Sequence, residues 1–198
     1  MTAQPAFNRA DPDERRQSLI EATARVLAER GAAGVSVRTI CAEAGVSPGL
    51  LRHYFAGVSE AIAHTYRWVG ETIGAALAEA VAQAGEDPRA RLLAYLTASF
   101  RPPIASPDLL ATYVAFWSLT RSDAAVAAVR AEVYGDYRAG LESLIRAYRR
   151  GIADARLPTV ALTALIDGLW LELSLGNAPF TPEEAEALAE KWLDALLG

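Results

Sequence analysis

The residues best suited to chemistry lie between Ser36 and Phe55: Ser-Val-Arg-Thr-Ile-Cys-Ala-Glu-Ala-Gly-Val-Ser-Pro-Gly-Leu-Leu-Arg-His-Tyr-Phe. Their chemistry is binding. Arg52 can hold a phosphate, or a guanine edge through two parallel hydrogen bonds. Gly49 has no side chain, so the backbone there can come close to a groove. A helix beginning after Ser47 points free N–H groups at an anion.

The elements that must position these groups can be read from the same stretch. Ser36 is a good N-cap, and Val37, Ile40, Cys41 and Ala44 fall on one helical face. Gly45 stands where that helix must stop and can take the left-handed conformation. Val46 fills the angle between two helices. Ser47 stands at the next N-cap, with Pro48 in the first turn, where a missing N–H costs nothing. Leu51, Tyr54 and Phe55 point inward; Pro48, Gly49, Arg52 and His53 face outward. This is a helix-turn-helix, which seats its second helix in the DNA major groove.

Residues 14–66 resemble the N-terminal domain of the TetR family of bacterial transcriptional regulators. The likeness rests on Arg15-Arg-Gln-Ser-Leu-Ile-Glu-Ala-Thr23, Gly31, Val35-Ser-Val-Arg38, Ala44-Gly-Val-Ser47 and His53-Tyr-Phe55. It implies that Ser36, Arg38, Ser47, Pro48, Gly49, Arg52, His53 and Tyr54 approach DNA. Two positions depart from the family pattern. Arg52 stands where tyrosine is common, and Val58 stands where many members carry a phosphate-contacting lysine.

Composition agrees with a helical protein. The chain has 198 residues, 52% of them hydrophobic, and a net charge of −5. Ala, Leu, Arg and Glu, all helix formers, dominate. Residues 1–57 hold seven Arg and six acids, so the head is nearly neutral and the remainder is acidic. Local charge, not the total, decides DNA binding, and an acidic body weakens non-specific contacts. Cys41 is the only cysteine. It suits a reducing cytoplasm and reads as a small buried filler. With no charged n-region and apolar h-region at its start, no signal peptide is expected, and uncharged runs of about a dozen residues are too short for a membrane span. Residues 1–10 read as a loose tail.

The pattern predicts an all-α fold of nine helices in two parts: a head over 1–57, and a ligand-binding and dimerisation body over 58–198. A long fourth helix over 58–83 connects them, with Gly70 and Gly74 suited to close packing. Helix 7 is expected to run to Gly151, and helix 8 to open at Leu157-Pro158. From Val160 to Leu175 the only charges are Asp167 and Glu172, so helix 8 must be covered on more than one side. With the stripe of helix 9 (Ala185, Leu188, Ala189, Trp192, Leu193, Leu196) it predicts a two-fold homodimer. Leu165, Leu169, Leu173, Leu188, Trp192 and Leu196 are the expected interface.

Tyr113-Val-Ala-Phe-Trp-Ser118, Leu162 to Leu171 and Ala178-Pro-Phe180 resemble the choline-sensing, BetI-like subfamily of repressors of glycine betaine synthesis. The resemblance implies a small-molecule effector, and choline would be a quaternary ammonium ion. Aromatic faces hold such ions through cation–π attraction, about 0.5–2 kcal/mol each. Trp68, Tyr113, Trp117, Tyr137 and Trp170 can supply the faces, with Asp167 or Glu172 as countercharge, in a pocket between helices 4 and 8. No cofactor or metal is expected. Two other classes stay open: a small helical enzyme using Glu60 and His64, four apart on one face, and a DNA-free helical partner-binding module.

Overall fold

The computed structural model describes residues 12–198; the tail expected over residues 1–10 lies outside them. Among the described residues there are nine α-helices: α1 (Pro12–Arg30), α2 (Val37–Ala44), α3 (Pro48–Tyr54), α4 (Val58–Gln83), α5 (Pro88–Thr97), α6 (Pro107–Leu119), α7 (Ala124–Tyr148), α8 (Arg156–Ser174) and α9 (Pro182–Leu197). No strand occurs among these residues.

Capping chemistry sets most of the boundaries. Ser36 and Thr39 close a reciprocal capping box on α2, and Thr181 and Glu184 close another on α9. Asp87, Ser106 and Asp123 each accept a bond from the first turn of α5, α6 and α7. Gly31 and Gly45 end α1 and α2 at φ 61° and 66°, a region open to glycine at little cost. Two expected ends move. α7 stops at Tyr148, three residues before Gly151, whose φ of 84° belongs to the connecting turn. α8 begins at Arg156, ahead of Leu157-Pro158.

Two cores form. The smaller gathers Leu19, Ile20, Ile40, Cys41, Leu51, Phe55 and Ala61 under the helix-turn-helix. The larger runs through the body and includes Leu27, Tyr66, Leu92, Phe116, Leu141, Leu162 and Leu193. α1 and α4 enter both, so the head is clamped to the body by two helices. Thr112 on α6 donates to the Ala24 carbonyl of α1 at 3.3 Å, and Thr65 on α4 to that of Ile20 at 3.4 Å.

α8 buries Thr159, Leu162, Thr163, Ile166 and Trp170 and leaves its opposite side open. Leu157, Val160, Leu171 and Leu175 are exposed there, Leu175 by 62%. The expected interface leucines are differently placed. Leu165, Leu169 and Leu173 are half-buried, and the last two pack on the body's core. The outward stripe is turned from them by about two fifths of a turn, at about 100° per residue. On α9, Ala185, Ala189 and Leu193 are buried, Leu188 and Leu196 half-buried, and Trp192 is 49% exposed. By length and composition alone α8 could cross a membrane, contrary to the expectation from the short uncharged runs, yet its inner face is part of the folded core.

Candidate nucleic-acid interface and ligand cavity

Arg38, Ser47, Pro48, Gly49, Arg52 and His53 are all exposed on the outer side of α2 and α3. Tyr54 is half-buried and meets the His53 ring edge-on at 5.1 Å. Behind them Leu51 and Phe55 are sealed in the head core. The Ser36 hydroxyl is engaged: it accepts the Thr39 N–H at 3.1 Å within the capping box. Ser47 occupies the N-cap of α3, but its side chain makes no capping bond, which leaves its hydroxyl available to a ligand. The Cys41 thiol sits 3.6 Å from the Ser47 carbonyl, and burial raises its pKa. That fits a filler at the turn.

Val58 is not at the surface where a phosphate-binding lysine would reach out. It is half-buried and packs against both cores. Two residues on, the Glu60 carboxylate accepts the Ala56 N–H at the start of α4 and so supplies negative charge where an anchor would need positive. Glu60 and His64, the pair considered for catalysis, belong to the joint between α1 and α4. Arg16 donates to His64 Nδ1 at 2.8 Å, while Glu60 lies 3.8 Å from Nε2. Partial burial, then Arg16 and Arg67, lower the His64 pKa. Among the described residues no group of three or more His, Cys, Asp or Glu could hold a metal.

A cavity of about 430 Å³ lies inside the body, walled by α4, α6, α7, α8 and the end of α5. Of the expected ligand residues, Tyr113, Tyr137, Asp167 and Trp170 line it. Trp68 does not; it packs between the two cores. Trp117 stands behind the wall, and Glu172 is exposed on the outer side of α8. Tyr95 and Tyr134, which the sequence reading passed over, line the cavity too. Tyr134 precedes Tyr137 by one turn on the same face, a spacing that could have revealed it.

Hydrogen bonds fix this wall. Trp117 Nε1 donates to the Tyr134 hydroxyl at 3.0 Å, and that hydroxyl donates to Asp167 Oδ1 at 3.1 Å. Arg130 and Arg138 stack over the Tyr134 ring at 4.2 and 5.3 Å. Trp170 Nε1 donates to the Ser99 carbonyl at 2.6 Å, and Tyr95 to that of Tyr137 at 2.9 Å. Tyr113 meets Trp170 edge-on at 5.1 Å. Burial pushes the Asp167 pKa up, against the Tyr134 bond and the two arginines. Polar groups held this firmly in an apolar cavity suit orientation of a small molecule.

Residues 88–198 match the family described as BetI-type transcriptional repressor, C-terminal, and residues 19–59 match the tetR family of bacterial regulatory proteins. The chain belongs to the TetR family. Its body is of the BetI type. A HTH-type transcriptional regulator BetI of Burkholderia thailandensis is 33% identical, over 92% of this chain and 93% of that protein. A protein of Pseudomonas aeruginosa PAO1 described as a transcriptional regulator has a crystal structure that matches with a TM-score of 0.87 and 41% identity. The match covers 98% of this chain and 95% of that one. A Saccharomonospora viridis protein, solved in complex with choline, shares the fold at a TM-score of 0.77 and 20% identity, over 92% of this chain and 96% of that one. TetR regulators bind operator DNA and small-molecule effectors and act as dimers. This chain is a ligand-responsive, DNA-binding transcriptional regulator of that kind, and its relatives are regulators, not enzymes.

Proposed function

We propose that the protein is a cytoplasmic, two-headed repressor that a small organic cation of the choline type releases from its operator. The course of α4 carries this reading. Its first turn packs into the head core through Val58 and Ala61, and its later turns wall the cavity through Gly70, Gly74, Leu77 and Val81. A ligand that favours one setting of α4 therefore favours one setting of the recognition helix. It acts only through its differential affinity for the two settings.

On this reading Ser47, Pro48, Gly49 and Arg52 meet DNA at the start of α3, with Arg38, His53, Tyr54 and the capped Ser36 beside them. Head and body divide near residue 57. Two heads one DNA turn apart, about 34–36 Å, come from pairing α8 and α9 across a two-fold axis. The exposed Leu157, Val160, Leu171, Leu175 and Trp192 form its centre, and Leu165, Leu169, Leu173, Leu188 and Leu196 flank it. Tyr113, Tyr137 and Trp170 offer aromatic faces to a cation, and Asp167 offers the countercharge. The choline complex of the Saccharomonospora viridis protein supports that ligand class for a fold neighbour.

Fluorescence anisotropy on a DNA fragment from upstream of the protein's own gene, titrated with choline, tests the proposal. Binding that choline reverses supports both halves. Binding that choline leaves intact keeps the repressor and removes choline as its effector. Liganded and unliganded structures with equal head separation would overturn the α4 mechanism.

A further inference from the structure

The cavity is long, and its two ends differ. α4 and α7 run side by side in the same direction: Arg67 pairs with Glu132 at 2.9 Å, and Gly70, one turn on, faces Val133. The lining extends from Gly70 to Val81 on α4 and from Val133 to Leu144 on α7. At 1.5 Å per residue, each wall is about 16 Å long. Choline spans less than half of that.

The end nearest the head carries Tyr134 and Asp167. The far end carries the apolar Leu77, Val81 and Leu144, with Ser143 beside them and the Tyr95 hydroxyl already bonded to the Tyr137 carbonyl. Between them Gly74 and Ala78 are exposed and leave a lateral mouth, with Asp136 at its rim. Nothing lies within 4 Å of a Cβ placed on Gly74. The charged side chains in the lining are Asp136 and Asp167, both acidic; Arg130 and Arg138 lie over the Tyr134 ring but outside the lining. Such a lining disfavours an anionic head group and accepts a cationic one. A wholly polar ligand would leave the apolar end unfilled.

From this we infer that the effector is an elongated amphipathic monocation. Its cationic head sits at the Asp167–Tyr134 end, and its apolar tail lies between α4 and α7. At about 1.3 Å per methylene, set by carbon–carbon bonds near 1.5 Å, the tail holds roughly eight carbons. The inference rests on the cation-released repressor proposed above and narrows its ligand.

The test is calorimetry on the full-length protein with n-alkyltrimethylammonium ions, from tetramethylammonium to the dodecyl ion, below their micelle concentrations. Choline, alkyl sulfates and alkanols of matched length are the comparisons. Burial of each methylene, worth ~0.8 kcal/mol, is expected to tighten binding about fourfold until the series levels near eight carbons. Alkyl sulfates are expected not to bind, and the alkanols to bind more weakly than the cations. Affinity flat with chain length, or highest for choline, overturns the tail and leaves the cation-released repressor standing. Equal binding of the sulfates or alkanols overturns the cationic head. Gly74→Leu should move the levelling point to a shorter chain, and Ala78→Leu serves if that variant folds poorly. A levelling point unmoved in the folded variant overturns the placement between α4 and α7.

Discussion

Arg16 on α1 donates a hydrogen bond to Nδ1 of His64 on α4 at 2.8 Å, across the joint between head and body. Arginine has only donors, so Nδ1 must be the acceptor and the ring proton sits on Nε2, toward Glu60. The neutral ring is the one that fits. Partial burial, Arg16 and Arg67 hold its pKa below the ordinary 6.5.

A depressed histidine pKa makes the folded state bind protons less readily than the unfolded chain. The stability this gives is present above pH 6.5 and is lost as pH falls from there toward the depressed value. Loss of one hydrogen bond of about 1 kcal/mol lowers Tm by roughly 2–4 °C in a chain of this size. Thermal melts between pH 7.5 and 5.5 should show that drop, and His64→Gln should remove it. An identical pH dependence in the variant would clear His64 of the effect.

Arg52 is the exposed cation on the outer face of α3. Arg52→Ala should weaken operator binding by about five- to 150-fold, the roughly 1–3 kcal/mol of a good base contact. If Arg52 meets a phosphate instead, the salt dependence should lose about one unit of slope. Anisotropy titrations at several salt concentrations separate the two. An unchanged affinity would remove α3 from the DNA interface.

At Gly70, α4 packs closely against α7. A Cβ added there would lie 2.7 and 2.9 Å from the two methyl carbons of Val133. Gly70→Ala should therefore push the helices apart and cost about 1–3 kcal/mol of stability, as overpacking does. On the proposed α4 mechanism it should also alter operator affinity. Val133→Ala in the same chain should restore both. Rescue of the melting temperature without rescue of DNA binding would separate packing from signalling.

Asp167 titrates above the ordinary carboxylate value, because burial disfavours its charge. A raised acid pKa means the folded protein holds the proton more tightly than the unfolded chain. The unliganded protein should thus lose stability as pH rises from the ordinary carboxylate value of 3.8 to the raised one. Cation affinity should climb through that same window and then level off. Asp167→Asn should abolish both trends and weaken cation binding about tenfold or more, the loss of a charged partner. Calorimetry across pH for the two proteins measures the difference.

The turn of the head was legible because its geometry is local. Ser36 marks a boundary through its capping hydroxyl, and Gly45 and Pro48 through their backbone, and the helices stop and start there. The α8 surface was harder to read. With apolar residues nearly all round, nothing in its sequence sets the phase of the helix. Leu165, Leu169 and Leu173 looked equivalent to Leu157, Leu171 and Leu175, and only packing on α6, α7 and α9 separates them. The cavity lay between these cases. Aromatic identity located Tyr113 and Trp170 on its wall. It could not show that Trp68 fills the head–body joint or that Trp117 props Tyr134 from behind. Gly74 was expected to bring helices together, yet it leaves a gap, unlike Gly70 one turn earlier.

That gap bears on how such a sensor diversifies. Gly74 and Ala78 border the cavity, but neither belongs to the head core nor to the exposed stripe of α8. A larger side chain at either position reshapes the chamber and leaves the promoter-reading surface alone. On the function proposed above, selection can therefore retune what the protein detects while the genes it governs stay the same, and a designer of biosensors can begin at the same two positions.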